Sequence, residues 1–240
     1  MQLVGRLLNG RCLTPATLRI MKLSSYEEKT LKRCRQEALK AGASFCKIIP
    51  ASKVVTSDWV RLKCQFGCDA FGTRHTCPPF SPLPSTTERI LKDFSGAIFV
   101  VFRAPDSSLQ RRLRKKSRRL LASMERELFL DGYYSAFAMG SGPCNLCPAC
   151  EPDSPCLHPE EARPSMEACG VDVYATARAA GFPLNVVRTH DEGCSLCGLV
   201  LFGQRDSRSR EAERKSLRSV RTSRSVRTSG RKKRETRNAK

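Results

Sequence analysis

Residues 142 to 165 read GPCNLCPACEPDSPCLHPEEARPS, with four cysteines in thirteen positions, the first three spaced C-x-x-C-x-x-C. No other stretch limits the fold so tightly, because thiols this crowded must be explained by a disulfide network or by a metal. The chain has thirteen cysteines, an odd number, and they are clustered. Its start, MQLVGRLLNGRCLTPATLRI, has three arginines and no acid but no continuous apolar segment, so no secretory signal is expected. In the reducing, cytoplasmic setting this implies, clustered thiols are read as metal ligands rather than as a disulfide framework.

At 240 residues the chain can bury a sizeable core, and one domain with tails is expected. The longest apolar run, Ala97 to Phe102, is too short to span a bilayer, so no membrane association is expected. Formal charge is +20, and residues 204–240 hold fifteen Lys and Arg against four Asp and Glu, a net of +11. That end is rich in Ser, Thr and Arg and carries SVRTS twice. It lacks the apolar surface to offset ordering entropy and is read as a disordered tail. Its cations would bind polyanions, RNA included, by counterion release, in a salt-sensitive way. The expected organisation is a flexible extension over 1–22, a cysteine-rich α/β domain over 23–203 and the basic tail over 204–240.

Periodicity within the body suggests alternating helices and strands. Residues 25–41 read as an amphipathic helix with Leu31, Cys34, Ala38 and Leu39 inward, and 43–49 as a strand. STTERILKDF reads as a short helix with a Ser or Thr cap, followed by GAIFVVF, a strand buried on both faces. Residues 107–131 read as the longest helix, with Leu109, Leu113, Leu120, Leu121, Met124 and Leu128 as its apolar stripe. Its cations from Arg111 to Arg119 are read as the solvated face, with a phosphate or nucleic-acid surface as the alternative. YYSAFAMG is expected as a strand, and residues 164–180 as a helix opened by Pro164 and closed by Gly181. FPLNVVRT and GLVLFG are expected as closing strands. The fold class is α/β: one domain of alternating helices and strands carrying two cysteine-rich loops.

Cys144, Cys147, Cys150 and Cys156 form C-x2-C-x2-C-x5-C. Three thiolates two residues apart suit a [4Fe–4S] cluster, with a fourth from nearby. Zinc, which takes two separated ligand pairs, makes the third closely spaced cysteine redundant and stands as the alternative. His158 is a second candidate for the fourth ligand. The first grouping, VRLKCQFGCDAFGTRHTCPPFSP, places Cys64, Cys68 and Cys77 as C-x3-C-x8-C-P-P, with Gly67 and Gly72 permitting sharp turns. Lys63, Arg61, Arg74 and His75 surround it with charge that would favour thiolates or receive an anion. Buried structural thiols are the other reading of this group. Cys34 and Cys169 are read as core residues. Cys194 and Cys197, read as lying ahead of an apolar strand, could complete the site of the Cys144 loop, bind zinc or shuttle as a dithiol.

From about Leu23 to Phe202, the motifs IIPASKVV, VRLKC with CPPFSP, GPCNLCPAC and CLHPEEARPSMEACGVDV resemble a cysteine-rich family of bacteria and archaea. It is the predicted metal-binding domain-of-unknown-function family 2284. By position, Cys64, Cys68 and Cys77 match its first motif. Cys144, Cys147, Cys150 and Cys156 match the second, and Arg163, Pro164, Ser165 and Glu167 the third. The resemblance implies an intracellular metal- or iron–sulfur-binding protein with no established reaction. Ser165 and Glu167 suit the first turn of a helix; Arg163 would hold a carboxylate or a cluster sulfide, and Lys63 and Arg163 are the candidate cofactor contacts.

No nucleotide loop or G-x-S-x-G motif is present, and whether the chain is an enzyme is left open. The leading expectation is a redox or accessory protein with one [4Fe–4S] cluster, or two, serving a protein redox partner. The alternative is a zinc-stabilised module that holds nucleic acid through its basic helix and tail. A third class, metal delivery or storage, predicts labile metal.

Overall fold

The run GAIFVVFRA forms a nine-residue strand, Gly96–Ala104, buried at every position but Arg103. CSLCGLVLF forms Cys194–Phe202, antiparallel to it from Gly96 opposite Phe202 to Ala104 opposite Cys194. With Phe45–Pro50 and Phe137–Met139 these make a four-stranded antiparallel sheet. Numbered along the chain as β1 (Phe45–Pro50), β2 (Gly96–Ala104), β3 (Phe137–Met139) and β4 (Cys194–Phe202), the strands lie in the order β1-β2-β4-β3. The structure is a computed structural model that describes residues 25–189, 192–206 and 211. The expected N-terminal extension and almost all of the basic tail lie outside them.

Among the described residues five α-helices accompany the sheet: α1 (Ser25–Lys40), α2 (Asp58–Gly67), α3 (Pro84–Leu91), α4 (Ser107–Leu130) and α5 (Val173–Ala180). Both sheet faces are covered, which is why two antiparallel strands read as unbroken apolar runs. Side chains alternate across a strand, so Ile98, Val100 and Phe102 join Leu196 and Val200 against Leu31, Cys34 and Ala38 of α1 and Leu121, Met124 and Leu128 of α4. Ala97, Phe99 and Val101 join Leu199 and Leu201 on the other face, against Leu91 of α3, Met166, Cys169 and Ala177. Burial of each large side chain here contributes about 1.5–3 kcal/mol. Gly198 marks where α4 crosses β4: an added Cβ would lie 2.5 Å from Leu121 Cδ1. At the end of α4, Asp131 accepts from Thr30 Oγ1 and Arg33 Nη2 of α1, each at 2.9 Å.

Several sequence expectations need correction. Helix α2 was not anticipated, so Cys64 sits on a helix and not in a loop. No Ser or Thr caps α3; Leu83 precedes it and Pro84 occupies its first turn, where a missing N–H costs nothing. The expected helix over 164–180 is broken. Glu167–Cys169 form a single 3-10 turn, then Gly170 adopts φ +74°, and α5 starts after Asp172, whose carboxylate accepts from Ala175 N–H at 2.8 Å. At Gly170 a left-handed backbone coincides with Pro84 packed where a Cβ would stand, so no other residue is accommodated without strain. FPLNVVRT is irregular. Pro183 lacks a donor, and only Phe182 and Leu184 reach the core while Val186 and Val187 are exposed. The strand expected over YYSAFAMG shrinks to Phe137–Met139. Gly181, at φ +84°, does end α5 as expected.

Cys194 and Cys197 lie within β4, not ahead of it. Arg205, counted with the tail in the sequence reading, is buried, donates from Nε to the Asp131 carbonyl at 2.9 Å and lies over the Tyr133 ring. The packed body therefore extends to Asp206, whose N–H donates to the Gly132 carbonyl. Among the described residues no helix is long and apolar enough to cross a membrane.

Candidate metal centre

The first cysteine group is built on α2 and the turns after it. Cys64 lies on the inner side of the helix, its thiol 3.9 Å from the Glu167 carbonyl, and Cys68 caps the helix C-terminus. The chain then reverses: Gly72, at φ +72°, donates to the Pro78 carbonyl at 2.7 Å, and Cys77 N–H donates to Arg74 O. Arg61 and Ser81 tie this segment to the 3-10 turn, since Ser81 Oγ donates to the Ala168 carbonyl at 2.6 Å and Arg61 Nη1 reaches both Ser81 and Ala168. Burial, followed by the charges of Cys68 and Glu167, raises the Cys64 thiol pKa. Burial and the neighbouring Cys68 push Cys77 up to about 11.

The second loop is closed at its neck by backbone bonds. Gly140 N–H donates to the Pro164 carbonyl at 2.8 Å, and Met166 N–H donates to Gly140 O at 2.9 Å. Arg118 of α4 clamps the same neck from within. Its Nη1 donates to the Arg163 carbonyl at 2.6 Å, and its Nη2 to those of Gly142 and Pro143 at 3.2 and 3.1 Å. The guanidinium thus joins both ends of the loop one residue from Cys144. Burial lowers the Arg118 pKa, while the nearby Cys144, Cys77 and Glu167 favour its charged form.

Cys144, Cys147, Cys150 and Cys156 are all half-buried and line one partly open pocket. Arg74, His75 and Thr76 of the first group line the same pocket, as does His158. The structure therefore brings the two cysteine regions side by side. Burial and three neighbouring thiols raise the Cys147 pKa, with Arg74 acting against them. The Cys156 sulfur accepts from the His158 backbone N–H at 3.4 Å.

Other candidates lie elsewhere. Lys63 is exposed on the outer face of α2. The carboxylate that Arg163 holds is Glu125's, in a fork with contacts of 2.6, 2.8 and 3.1 Å, and its Nη1 donates to the Pro159 and Ala162 carbonyls. Glu125 Oε2 also accepts from Ala138 N–H of β3, so this pair anchors the end of the loop to α4 and the sheet. Ser165, expected in the first turn of a helix, lies just before the 3-10 turn, and its Oγ accepts from Ala168 N–H at 3.0 Å. Glu167 turns inward: burial raises its carboxyl pKa, and its Oε2 is buried without a hydrogen-bond partner. Cys34, Cys46, Cys169 and Cys197 are core thiols, each pushed up to about 12, first of all by burial.

Sequence reasoning missed Arg118, placing it with the solvated cations. The available signal was helical phase. Arg114, Arg118, Leu121, Glu125 and Leu128 recur at spacings of four, three, four and three, and share one face.

A thiophilic metal group suits this donor set: four thiols around one space, with buried guanidinium charge behind them. Among the described residues no three His, Cys, Asp or Glu side chains gather at a single ion-sized point; the four cysteines share the lining of one pocket. No curated protein and no solved structure matches the chain. A family of predicted metal-binding proteins, DUF2284, matches residues 47–202, leaving α1 and the first two residues of β1 outside the match. With both cysteine regions inside that span, the chain belongs to the DUF2284 family of predicted metal-binding proteins.

Proposed function

We propose that Cys144, Cys147, Cys150 and Cys156 hold a [4Fe–4S] cluster and that the protein serves a partner by electron transfer or as an accessory. The observation that carries this reading is that four cysteines line one pocket, three of them from a C-x2-C-x2-C run and Cys156 five residues on, a spacing that suits a multi-iron group. When bound, such a group supplies one-electron chemistry. The chain's own residues fix the loop neck (Arg118, Gly140), anchor its end (Arg163, Glu125) and wall the pocket with Arg74 and His75. Cys64, Cys68 and Cys77 are the ligands of a second centre if the chain carries two.

Iron, acid-labile sulfide and zinc per chain on anaerobically purified protein test this. About four irons and four sulfides support one cluster, and about eight of each support two. One or two zincs with no visible absorption overturn it. A second reading, a zinc-stabilised module for nucleic acid, is favoured by one feature: Arg111, Arg112, Lys115 and Lys116 are exposed on the outer face of α4. Salt-dependent RNA binding that persists without residues 207–240 and is lost on reversing these four charges would support it.

A further inference from the structure

Helix α4 brings two guanidiniums to the base of the second cysteine loop. Arg118 is 2% exposed, yet its hydrogen bonds reach only the carbonyls of Gly142, Pro143 and Arg163, and its Nε has no partner. Arg114, one turn earlier, lies against the same neck. A Cβ on Gly142 would stand 3.1 Å from Arg114 Cζ, and Arg114 Nε is also buried without a partner. Among the described residues neither is ion-paired. The carboxyl in electrostatic reach of both is Glu167, one acid against two bases. Arg163, on the loop, shows the contrast, because the same helix α4 supplies it with Glu125. Two cations brought to one acid leave an unmatched positive charge beside the loop, which is costly at a buried site and which an anion received there would offset.

We infer that Arg118, with Arg114 behind it, is the built-in counter-charge for an anionic metal–thiolate group held by Cys144, Cys147, Cys150 and Cys156. This rests on the reading above. Four thiolates on zinc(II), or on an oxidised cubane, leave a net double negative charge, which two guanidiniums match. Arg118 is a positioning residue as well, since its fork ties both ends of the loop. Arg114 makes no hydrogen bond to the loop, so it separates charge from clamping.

Full-length Arg114→Gln, Arg118→Lys and Arg118→Gln, purified anaerobically beside the parent protein, test the assignment by metal content and by redox titration of the visible spectrum. Arg114→Gln is expected to keep its iron but to be harder to reduce, by about tenfold in the reduction equilibrium, or about 59 mV more negative for a one-electron couple. Arg118→Gln is expected to lose most of its metal, and Arg118→Lys, which keeps the charge, to recover part of it. Parental potential in Arg114→Gln together with parental metal content in Arg118→Gln overturns the inference and leaves the cluster reading standing. If the parent carries zinc instead, the cluster reading fails and the inference is read from zinc affinity. A tenfold weakening in Arg114→Gln then supports it, and an unchanged affinity overturns it. A parent that binds neither iron nor zinc overturns both.

Discussion

The two cysteine regions stand side by side yet are built on opposite plans. Cys64, Cys68 and Cys77 belong to the packed body: one is on α2, one caps it, and Cys77 is 5% exposed, with its thiol pushed up to about 11. Cys144 to Cys156 sit in a loop without regular structure, half-buried around a pocket, clamped at the neck by Arg118 and tied to α4 by Arg163 with Glu125 and by Arg119 with Glu161. A thiol inside a core contributes volume and resists ionisation, whereas one on a tethered loop can turn toward a metal. The second region is thus the one whose thiols are free to act as the ligands proposed above. The first is its wall, whatever further ligand role its thiols take.

The sharpest break of this comparison is Cys147→Ser. It is expected to abolish metal binding at the second loop, read by metal content, while far-UV circular dichroism stays near the parent's. A fully loaded variant would remove the assignment. Next in size is Arg163→Met, which strands Glu125 at the loop's anchor. A loss of about 2–4 kcal/mol in urea unfolding is expected, and a change below about 0.5 kcal/mol would mean the fork is dispensable. Gly170→Ala should cost about 2–3 kcal/mol, because a left-handed backbone and overlap with Pro84 act together. Cys77→Ser places a hydroxyl at a buried site and should cost about 1–2 kcal/mol, with metal at the second loop retained. Stability equal to the parent's would show the first group to be as loosely held as the second.

Smallest near neutral pH, where it has no effect, is a pH slope from the core thiols. Cys46 has its pKa raised from 9.0 to about 12, chiefly by burial, so the native state keeps a proton that the unfolded chain releases. Its contribution is complete below pH 9 and is lost as pH rises toward 12, at about 1.4 kcal/mol per pH unit. In metal-free protein, Cys46→Ala should flatten the stability–pH curve above pH 9 by about that slope. An unchanged slope would mean that Cys46 ionises in the native state as easily as in the unfolded one.

Much of this architecture was legible from residue pattern. The run in β2 announced a strand covered on both faces, GLVLFG announced most of β4, and the stripes of α1 and α4 located two helices to within a residue at each end. Helix α2 was not legible, because Trp59, Leu62 and Phe66 lie on its exposed face, Phe66 at 77%, and its apolar pattern pointed away from the core. The 164–180 segment misled because local propensity favours helix there, while Gly170 is needed for close passage over Pro84. The grouping of Cys144, Cys147, Cys150 and Cys156 about one pocket was readable from spacing. The share of Arg74–Thr76 in its lining was not, since they and Cys144 are about seventy positions apart.

By itself, then, the chain determined which segments bury apolar surface and which four thiols can act together, because those properties depend on near neighbours. Only the tertiary structure decided how charge is placed around them. Arg118 reads as one more cation in a basic run, and Arg163 as a reaching hand. Packing gave Arg163 the carboxylate of Glu125 and left Arg118 buried at the loop's neck among carbonyls. Charge acts through space and burial, and neither is set by the order of residues along the chain.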